Sequence, residues 1–495
     1  MMTETSGDLI LVLDAGTTST RAIAFDLAGS IIASAGRPIT QHYPASGWVE
    51  HDAGEIWRLS RDCLIEVADK VGAPRIRAIG ITNQRETMVF WDCSTGEPVA
   101  PAIVWQDRRT AAACAALKAA GHEAMVQAKT GLLLDPYFSG TKIRWALDNW
   151  PAVAAAETDG RLLVGTVESW LIWKLSAGAA HVSDATNASR TLLMDLESCT
   201  WDAALCALFG VPAAILPRIT DCAGRLATTA LLGSETPITG SAGDQQAASI
   251  GQACLSPGEL KATYGTGCFL LAHAGPVPPR STHRLLSTIA WRLDGVPAYA
   301  LEGSIFTAGA AVQWLRDGLG IIASSAETEA LAQSVPDSGG VTFVPALAGM
   351  GAPHWQPDAR GLLTGLSGGT TRAHIVRATL EAMGQQTADL VTALAADGVT
   401  AGTLRVDGGM VANDWLCQDL ADSLGVSVDR PRCIETTALG AAMLAAVGAG
   451  LFDSLTAAAA AMAGADRSFT PAIGDDARAA RRTVWAKAVR QALLV

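Results

Sequence analysis

The opening of the chain consists of apolar runs separated by short polar turns. An apolar run over 9–13 ends at Asp14, a turn rich in glycine and hydroxyl residues follows, and further apolar runs cover 22–26 and 31–36. Strand-length apolar runs joined by turns that contain glycine are typical of hairpins. This pattern predicts an antiparallel meander of three strands at the start of the chain.

A helical pattern follows the meander and then gives way to strands again. Residues 55–71 carry apolar side chains at the spacing of one helix face. Residues 76–82 and 87–92 are apolar runs of strand length. Three strands, a helix and two further strands form an α/β layer pattern in which antiparallel strands come first.

A less pronounced form of the strand–turn–strand pattern at the start of the chain recurs in its second half. Residues 258–275 again place a short strand before a turn of glycine and threonine, and an apolar strand follows. A helix over 374–398 and a strand over 403–409 that leads into a helix over 410–425 complete the pattern. We therefore expect two α/β domains built on the same hairpin, with a boundary near Gly251.

Length and charge exclude some classes of protein. A chain of 495 residues exceeds what one hydrophobic core usually serves, so two domains, 1–251 and 252–495, are expected. The sequence is 49% hydrophobic and 17% charged, which argues against extensive disorder. Its net charge of −12 comes without any block of Lys and Arg, so nucleic acid is not an expected partner.

Cysteine usage and the terminal segments predict a cytoplasmic protein. The ten cysteines show no metal-binding spacing and are interpreted as single buried thiols. The first eight residues have neither a basic nor an apolar region of a secretion signal. The most apolar segment, 437–452, is shorter than the roughly 20 residues that span a bilayer. We interpret it as a closely packed helix, so no membrane insertion is expected.

Two turns, 16–18 and 265–267, have the composition of an anion site. Glycine allows a backbone conformation in which several N–H groups point at one oxygen, and the neighbouring hydroxyls add donors. The pair could hold a polyphosphate between two domains, although neither turn matches a Walker loop. Asp14 would then hold hydrated Mg²⁺ beside the phosphates. The alternative is that Asp14 only caps its own turn.

Two further constellations carry charge into apolar surroundings. Arg85 and Glu86 interrupt an apolar strand pair and offer donors and an acceptor suited to the hydroxyls of a small polyol. The alternative is an ion pair that satisfies itself at a domain surface. Asp244 lies where a strand or loop gives way to a helix, a place that suits a catalytic base. Its alternative is the N-cap of that helix.

The motifs of this chain, taken together, resemble a known family. They include "LDAGTTSTRA", "IGITNQRET", "AIVWQDRRT", "DPYFSGTKIRWALDN", "GDQQAA", "TYGTGCF", "ALEGSIFTAGAAVQWLRD" and "LRVDGGMVANDWLCQ". In this order they span almost the whole chain and resemble the glycerol-phosphorylating members of the FGGY carbohydrate kinase family. The resemblance implies two actin-like, ribonuclease-H-like α/β domains with the active site in the cleft between them.

The resemblance also implies roles for individual residues. The positions that match the glycerol pocket are Arg85, Glu86, Trp105, Tyr137, Asp244, Gln245 and Phe269. The positions that match the nucleotide and phosphate site are Thr18, Arg21, Thr266, Gly267, Gly309, Gln313, Gly409 and Asn413, with Thr17 beside them in the first turn. Asp244 resembles the catalytic base, and Asp14 and Asp244 are the expected carboxylates near Mg²⁺.

The activity that the resemblance implies is ATP-dependent phosphorylation of glycerol to sn-glycerol 3-phosphate, with release of ADP. Such a transfer needs alignment and charge neutralisation more than covalent help from the protein. Alternatives are a kinase for dihydroxyacetone, erythritol or a pentulose, and a non-catalytic actin-like ATP-binding module. The aromatic residues Trp105 and Phe269 argue against a longer sugar. A homodimer or homotetramer is usual in the family.

Some positions depart from the family pattern. Ala15 stands where glutamine is frequent in the first turn. The stretch 231–240 lacks the arginine through which regulated members bind fructose 1,6-bisphosphate, and 221–243 contains no histidine for regulatory phosphorylation. The C-terminal segment only partly resembles the one that binds a sugar-transport regulatory protein. We therefore expect none of these three controls.

Overall fold

The computed structural model describes residues 7–494. Residues 1–6, which carry most of the segment tested for a secretion signal, lie outside the described residues.

The strands of residues 7–494 are numbered here in chain order: β1 (Leu9–Ala15), β2 (Ser19–Asp26), β3 (Ile31–Pro38), β4 (Glu50–His51), β5 (Ile76–Asn83), β6 (Met88–Asp92), β7 (Ala102–Ile103), β8 (Leu162–Thr166), β9 (Val182–Asp184), β10 (Met194–Asp195), β11 (Thr200–Trp201), β12 (Arg218–Thr220), β13 (Ala223–Thr229), β14 (Thr236–Gly243), β15 (Leu260–Tyr264), β16 (Cys268–Gly275), β17 (Leu286–Leu293), β18 (Val296–Ile305), β19 (Thr342–Val344), β20 (Leu362–Thr364), β21 (Leu404–Asp407), β22 (Val428–Pro431) and β23 (Ala465–Phe469).

The α-helices of the same residues are α1 (Ala53–Val71), α2 (Ala111–Ala119), α3 (Glu123–Thr130), α4 (Ser139–Asn149), α5 (Pro151–Thr158), α6 (Val167–Leu175), α7 (Ala185–Ala188), α8 (Ala203–Phe209), α9 (Asp244–Gly251), α10 (Gly309–Gln313), α11 (Glu327–Gln333), α12 (Arg372–Ala396), α13 (Asp414–Leu424), α14 (Thr436–Gly448), α15 (Leu455–Met462) and α16 (Asp475–Ala492).

The first large sheet has six strands in the order β13-β14-β5-β1-β2-β3. β1 pairs antiparallel with β2 and parallel with β5, and every residue of β1 is buried because layers of helices cover both faces of the sheet. The predicted meander is confirmed. Its second strand begins at Ser19, three residues earlier than predicted, because Asp14 already pairs with Arg21 in the ladder.

The second large sheet has seven strands in the order β17-β18-β16-β15-β21-β22-β23 and repeats the plan of the first. β15 pairs antiparallel with β16 and parallel with β21, as β1 does with β2 and β5. In both sheets the hairpin turn therefore lies at the carboxyl end of a central strand. This confirms that the two halves are built on the same hairpin. A four-stranded sheet, β4-β7-β6-β8, extends the first half.

The predicted helices form, with shifted ends. α1 begins after Asp52, whose carboxylate accepts hydrogen bonds from the N–H groups of Gly54 and Glu55. α12 begins and ends two residues earlier than the predicted helix over 374–398. α13 begins only at Asp414, because Gly408 takes a φ of +95° and the next four residues form a 3₁₀ turn.

Residues 437–448 of the apolar segment 437–452 lie in α14, which packs on the first sheet although it follows β15–β22. α14 and α15 share a core cluster with residues of β1, β2 and β5. A Cβ built on Gly440 would lie 1.8 Å from the carbonyl oxygen of Ala247, so glycine is what lets α14 approach α9. Among residues 7–494, no helix is long and apolar enough to cross a membrane. The ten cysteines are free thiols, and most are buried.

We predict that Gly440→Ala destabilises the protein by roughly 2 kcal/mol or more, because the added methyl group forces α14 away from α9. Urea unfolding followed by circular dichroism measures the change. Gly368→Ala is the control, since nothing lies within 4 Å of a Cβ there. Equal unfolding midpoints for the two variants would contradict this account of the helix contact.

Candidate active site

The first hairpin turn places Asp14 and Arg21 side by side. Arg21 Nη2 donates to Asp14 Oδ2 over 2.7 Å, and Nη1 donates to Glu435 Oε1 over 2.8 Å. Burial raises the pKa of Asp14, and the Arg21 guanidinium opposes that rise. The carboxylate of Asp14 thus binds the strand opposite. The bond found for Asp14 is a cross-strand ion pair, and its role at a metal stays a prediction.

The same turn accepts hydrogen bonds from two side chains, those of Trp105 and Gln84. Trp105 Nε1 donates to Thr17 Oγ1 over 2.9 Å, and Gln84 Nε2 donates to the Gly16 carbonyl over 3.0 Å. Thr18 is exposed at the tip of the turn. A ligand at this turn therefore lies next to the pocket that Trp105 lines.

The second hairpin turn meets the start of α10. The N–H of Gly309 donates to the Gly265 carbonyl over 2.9 Å, and the N–H of Ala308 donates to the Thr266 carbonyl over 2.9 Å. A Cβ on Gly309 would lie 2.5 Å from that Gly265 oxygen, and one on Gly267 would lie 2.5 Å from the Ile305 oxygen. The backbone of this turn is packed too closely for side chains at either position.

The remaining predicted nucleotide residues surround this second turn. The residue after Gly409 is Met410, and its sulfur would lie 3.5 Å from a Cβ built on Gly309. Gln313 is exposed at the end of α10. Asn413 caps α13 by accepting from the N–H of Leu416. The structure thus brings Gly309 and Gly409 to the turn, while Asn413 has a structural partner at the helix start.

The predicted polyol residues converge between the two halves. Arg85 Nε lies 3.3 Å from Asp244 Oδ1, and Arg85 Nη2 donates to the Tyr137 hydroxyl over 3.5 Å. The Trp105 ring lies edge to face with those of Tyr137 and Phe269, at centroid distances of 5.6 and 6.4 Å. Phe269 belongs to β16 of the second sheet, so the pocket has walls from both halves.

Asp244 is the first residue of α9, and the N-cap position belongs to Gly243. The alternative of Asp244 as the cap is therefore wrong. Burial raises the pKa of Asp244, Arg85 and Lys261 oppose that rise, and the negative charge of Asp14 adds to it. Lys261 also donates to Gln245 Oε1 over 2.6 Å, which fixes the neighbouring side chain. Asp244 is one-third exposed, so it can meet a ligand in the cleft.

Two residues that the sequence analysis did not single out complete the pocket. Arg190 donates to Glu86 Oε1 and to Glu302 Oε1, each over 2.7 Å, and Arg85 donates to Glu302 Oε2 over 2.6 Å. Burial alone would raise the pKa of Glu302, but the Arg190 and Arg85 guanidinium groups hold it at about 2. Arg85 and Glu86 are buried members of this quartet, so the surface ion pair is excluded.

The sequence carries a signal for Glu302 and none for Arg190. Glu302 interrupts the apolar run of β18, and Arg190 follows a stretch of small and hydroxyl residues. A charge within an apolar strand needs a buried partner.

Comparison with known proteins shows full-length similarity. The family model described as the N-terminal domain of the FGGY family of carbohydrate kinases matches residues 9–251, and that of the C-terminal domain matches 260–449. Glycerol kinase from Rhodospirillum rubrum is 55% identical, covering 97% of this chain and 98% of its own length. Glycerol kinase from Dechloromonas aromatica is 53% identical, with 99% of both chains covered.

Solved structures show the same fold. Plasmodium falciparum glycerol kinase with ADP superposes with a TM-score of 0.94 at 36% identity, covering 98% of both chains. A xylulose kinase from Lactobacillus acidophilus reaches 0.88 at 22% identity over 99% of both chains, a likeness of fold alone.

We predict that Glu302→Gln costs about 3–5 kcal/mol of stability, because it leaves a buried positive charge without compensation. Chemical unfolding followed by tryptophan fluorescence measures the loss. Glu197→Gln removes an exposed carboxylate paired with Arg280 over 3.0 Å and should change stability by less than about 1 kcal/mol. A similar small effect at both positions would show that the quartet is not needed.

Proposed function

The chain belongs to the FGGY family of carbohydrate kinases, and we propose that it transfers the γ-phosphoryl group of ATP to glycerol, releasing ADP and sn-glycerol 3-phosphate. Full-length relatives at 53–55% identity that are named glycerol kinase support this substrate. The observation in the structure that supports it is the contact of one buried guanidinium, Arg85, with both Tyr137 and Asp244.

The pocket offers complementary groups for each part of a three-carbon polyol. Arg85 supplies donors, and the Asp244 carboxylate is an acceptor. Burial raises the pKa of the Tyr137 phenol, so at neutral pH it stays protonated and can donate. Trp105 and Phe269 face the carbon backbone. The two rings lie edge to face, with centroids 6.4 Å apart, and form one wall of the proposed pocket.

The chemical step needs a proton acceptor at the attacking hydroxyl. We assign this role to Asp244, which removes the proton as the glycerol oxygen approaches the γ-phosphorus in line. Arg85, 3.3 Å away, favours the ionised carboxylate that this role requires. Closure of the two halves would exclude water, which otherwise competes as acceptor.

The phosphates lie, in this proposal, between the two hairpin turns. The first turn contributes Thr17, Thr18 and Arg21, whose guanidinium keeps N–H groups beyond those bound to Asp14 and Glu435. The second contributes Thr266 and Gly267. Gly309, Gln313, Gly409 and Asn413 are the proposed contacts of the nucleotide.

A magnesium ion fits the acidic side of the cleft. Within residues 7–494, no three potential metal ligands lie together, whereas Mg²⁺ with ATP needs only one or two carboxylates besides phosphate oxygens and water. Asp14 and Asp244 are the carboxylates that would hold it. When bound, Mg²⁺ offsets the charge of the phosphate oxygens. A cytoplasmic homodimer or homotetramer stays a prediction from the family.

The first test of this function is ADP release from MgATP with glycerol, dihydroxyacetone, erythritol, xylulose or no acceptor. We expect strong stimulation by glycerol, because its hydroxyls match the donors of Arg85 and Tyr137 and the carboxylate of Asp244, which lie together in the cleft. A preference for xylulose, or ATP turnover independent of acceptor, would contradict the proposed substrate.

We predict that Asp244→Asn lowers kcat by about 10²–10⁴-fold, since the proton acceptor is lost while the shape of the side chain is kept. ADP binding, measured by calorimetry, should be unchanged within about twofold. Asp317→Asn is the control, because that exposed carboxylate pairs with the neighbouring Arg316. Near wild-type kcat in Asp244→Asn would remove Asp244 as the base.

A further inference from the structure

Arg85 and Glu86 are adjacent in sequence, yet both side chains enter the same pocket. Successive side chains of a strand point to opposite faces, so an extended backbone would separate them. Here Arg85 Nε lies 3.9 Å from Glu86 Oε1, and Glu302 and Arg190 link the two side chains from the other side. The backbone between them must therefore leave the strand conformation.

The departure occurs at Glu86 itself. Its φ is +60°, and the N–H of Thr87 donates to the Arg85 carbonyl over 2.7 Å, which closes a three-residue turn. The turn separates β5 of the six-stranded sheet from β6 of the four-stranded sheet. A glutamate with positive φ is strained, and such a conformation persists only where the surrounding structure holds it.

Two side chains of α4 hold the turn through the carbonyl of Glu86. Lys142 Nζ and Ser139 Oγ each donate to this oxygen over 3.2 Å, and both side chains are buried. Ser139 and Lys142 are three residues apart, so they lie on one face of the helix. Lys142 Nζ also donates to the carbonyl of Tyr137 over 2.8 Å. One ammonium thus joins the backbone of the Glu86 turn to that of Tyr137.

The burial of this ammonium is costly. Burial lowers the pKa of Lys142 to about 7. Two of the bonds found for its Nζ go to carbonyl oxygens. An apolar side chain at this position would be cheaper to bury. Its bonds end on the two backbone segments that carry the polyol contacts. Neither bond reaches the cleft.

We infer that Lys142 is a positioning residue for substrate, which holds Glu86 in its left-handed turn and so keeps Arg85, Glu86 and Tyr137 in one pocket. This inference rests on the proposed function, because the pocket is the one assigned to glycerol. Ser139 assists at the same carbonyl. Lys142 itself stays behind the pocket, so it acts on glycerol through the backbone of other residues.

The test is Lys142→Met, which keeps the length of the side chain and removes its donors. We expect the glycerol KM to rise by roughly tenfold to a hundredfold, the effect typical of misplaced binding groups. The Kd for ADP should stay within about twofold, because the bonds found for Lys142 Nζ end on the carbonyls of Glu86 and Tyr137 and not on either hairpin turn. A role in folding alone would lower the active fraction and leave the glycerol KM of the remaining enzyme unchanged.

Lys174→Met is a matched control, because Lys174 Nζ also donates to a backbone carbonyl, that of Gly96, over 2.9 Å. Its glycerol KM should equal that of the wild type. If Lys142→Met does not fold, Ser139→Ala tests the same carbonyl with a smaller change, and a glycerol KM raised about two- to fivefold is expected. An unchanged KM in Ser139→Ala together with an unfolded Lys142→Met would overturn the inference.

A crystal structure of Lys142→Met, or of Ser139→Ala if only that variant folds, separates this inference from the proposed function. We expect the Glu86 φ to become negative or the Glu86 side chain to leave Arg190. Retention of φ near +60° with the Arg190 contact intact would overturn the inference, whatever the substrate is. Failure of wild-type protein to use glycerol would overturn the proposed function and leave this backbone test standing.

Discussion

Arg85 and Arg190 carry two positive charges away from water, and Glu86 and Glu302 carry the two negative charges that compensate them. Ions in such surroundings are tolerated only with partners in good geometry, so each member restrains the others. Glu302 comes from the second sheet and the other three from the first half of the chain. The quartet therefore fixes the floor of the cleft and the position of Arg85 relative to Asp244.

The walls of the cleft follow from a repeated piece of topology. Each large sheet has a hairpin whose first strand lies beside a parallel strand, so each turn emerges at the carboxyl edge of its sheet. Glycines at the second turn allow backbone to pack against backbone. Hydroxyl groups and Arg21 line the first turn. The two turns thus present N–H groups and hydroxyls from the two halves, an arrangement suited to polyphosphate.

Much of this could be predicted from the sequence because it is local. The hairpins, the helix starts and the residue types of both turns depend on short-range patterns, and the motifs identified Arg85, Tyr137 and Asp244. The charge of Glu302 within an apolar strand is visible in the sequence, but its pairing with Arg190, and that of Arg190 with Glu86, joins residues more than a hundred positions apart. The packing of α14 on the first sheet depends on contacts of single glycines with distant backbone, which no periodicity reveals.

Because α14 packs on the first sheet, the chain crosses between the two halves more than once. The chain passes from the first sheet to the second after α9, returns between β22 and α14, and crosses again between α15 and β23. The three backbone connections lie close together, since a Cβ on Gly251 would lie 2.0 Å from the Thr436 oxygen and the N–H of Arg432 donates to the Gly464 carbonyl over 2.8 Å. Rotation of the halves about these connections would be hinge behaviour. Glu435 lies in the second connection and binds Arg21. Such a rotation would change the distance between Glu435 and Asp14, the two carboxylates that share the guanidinium of Arg21, and with it the charge around the first turn.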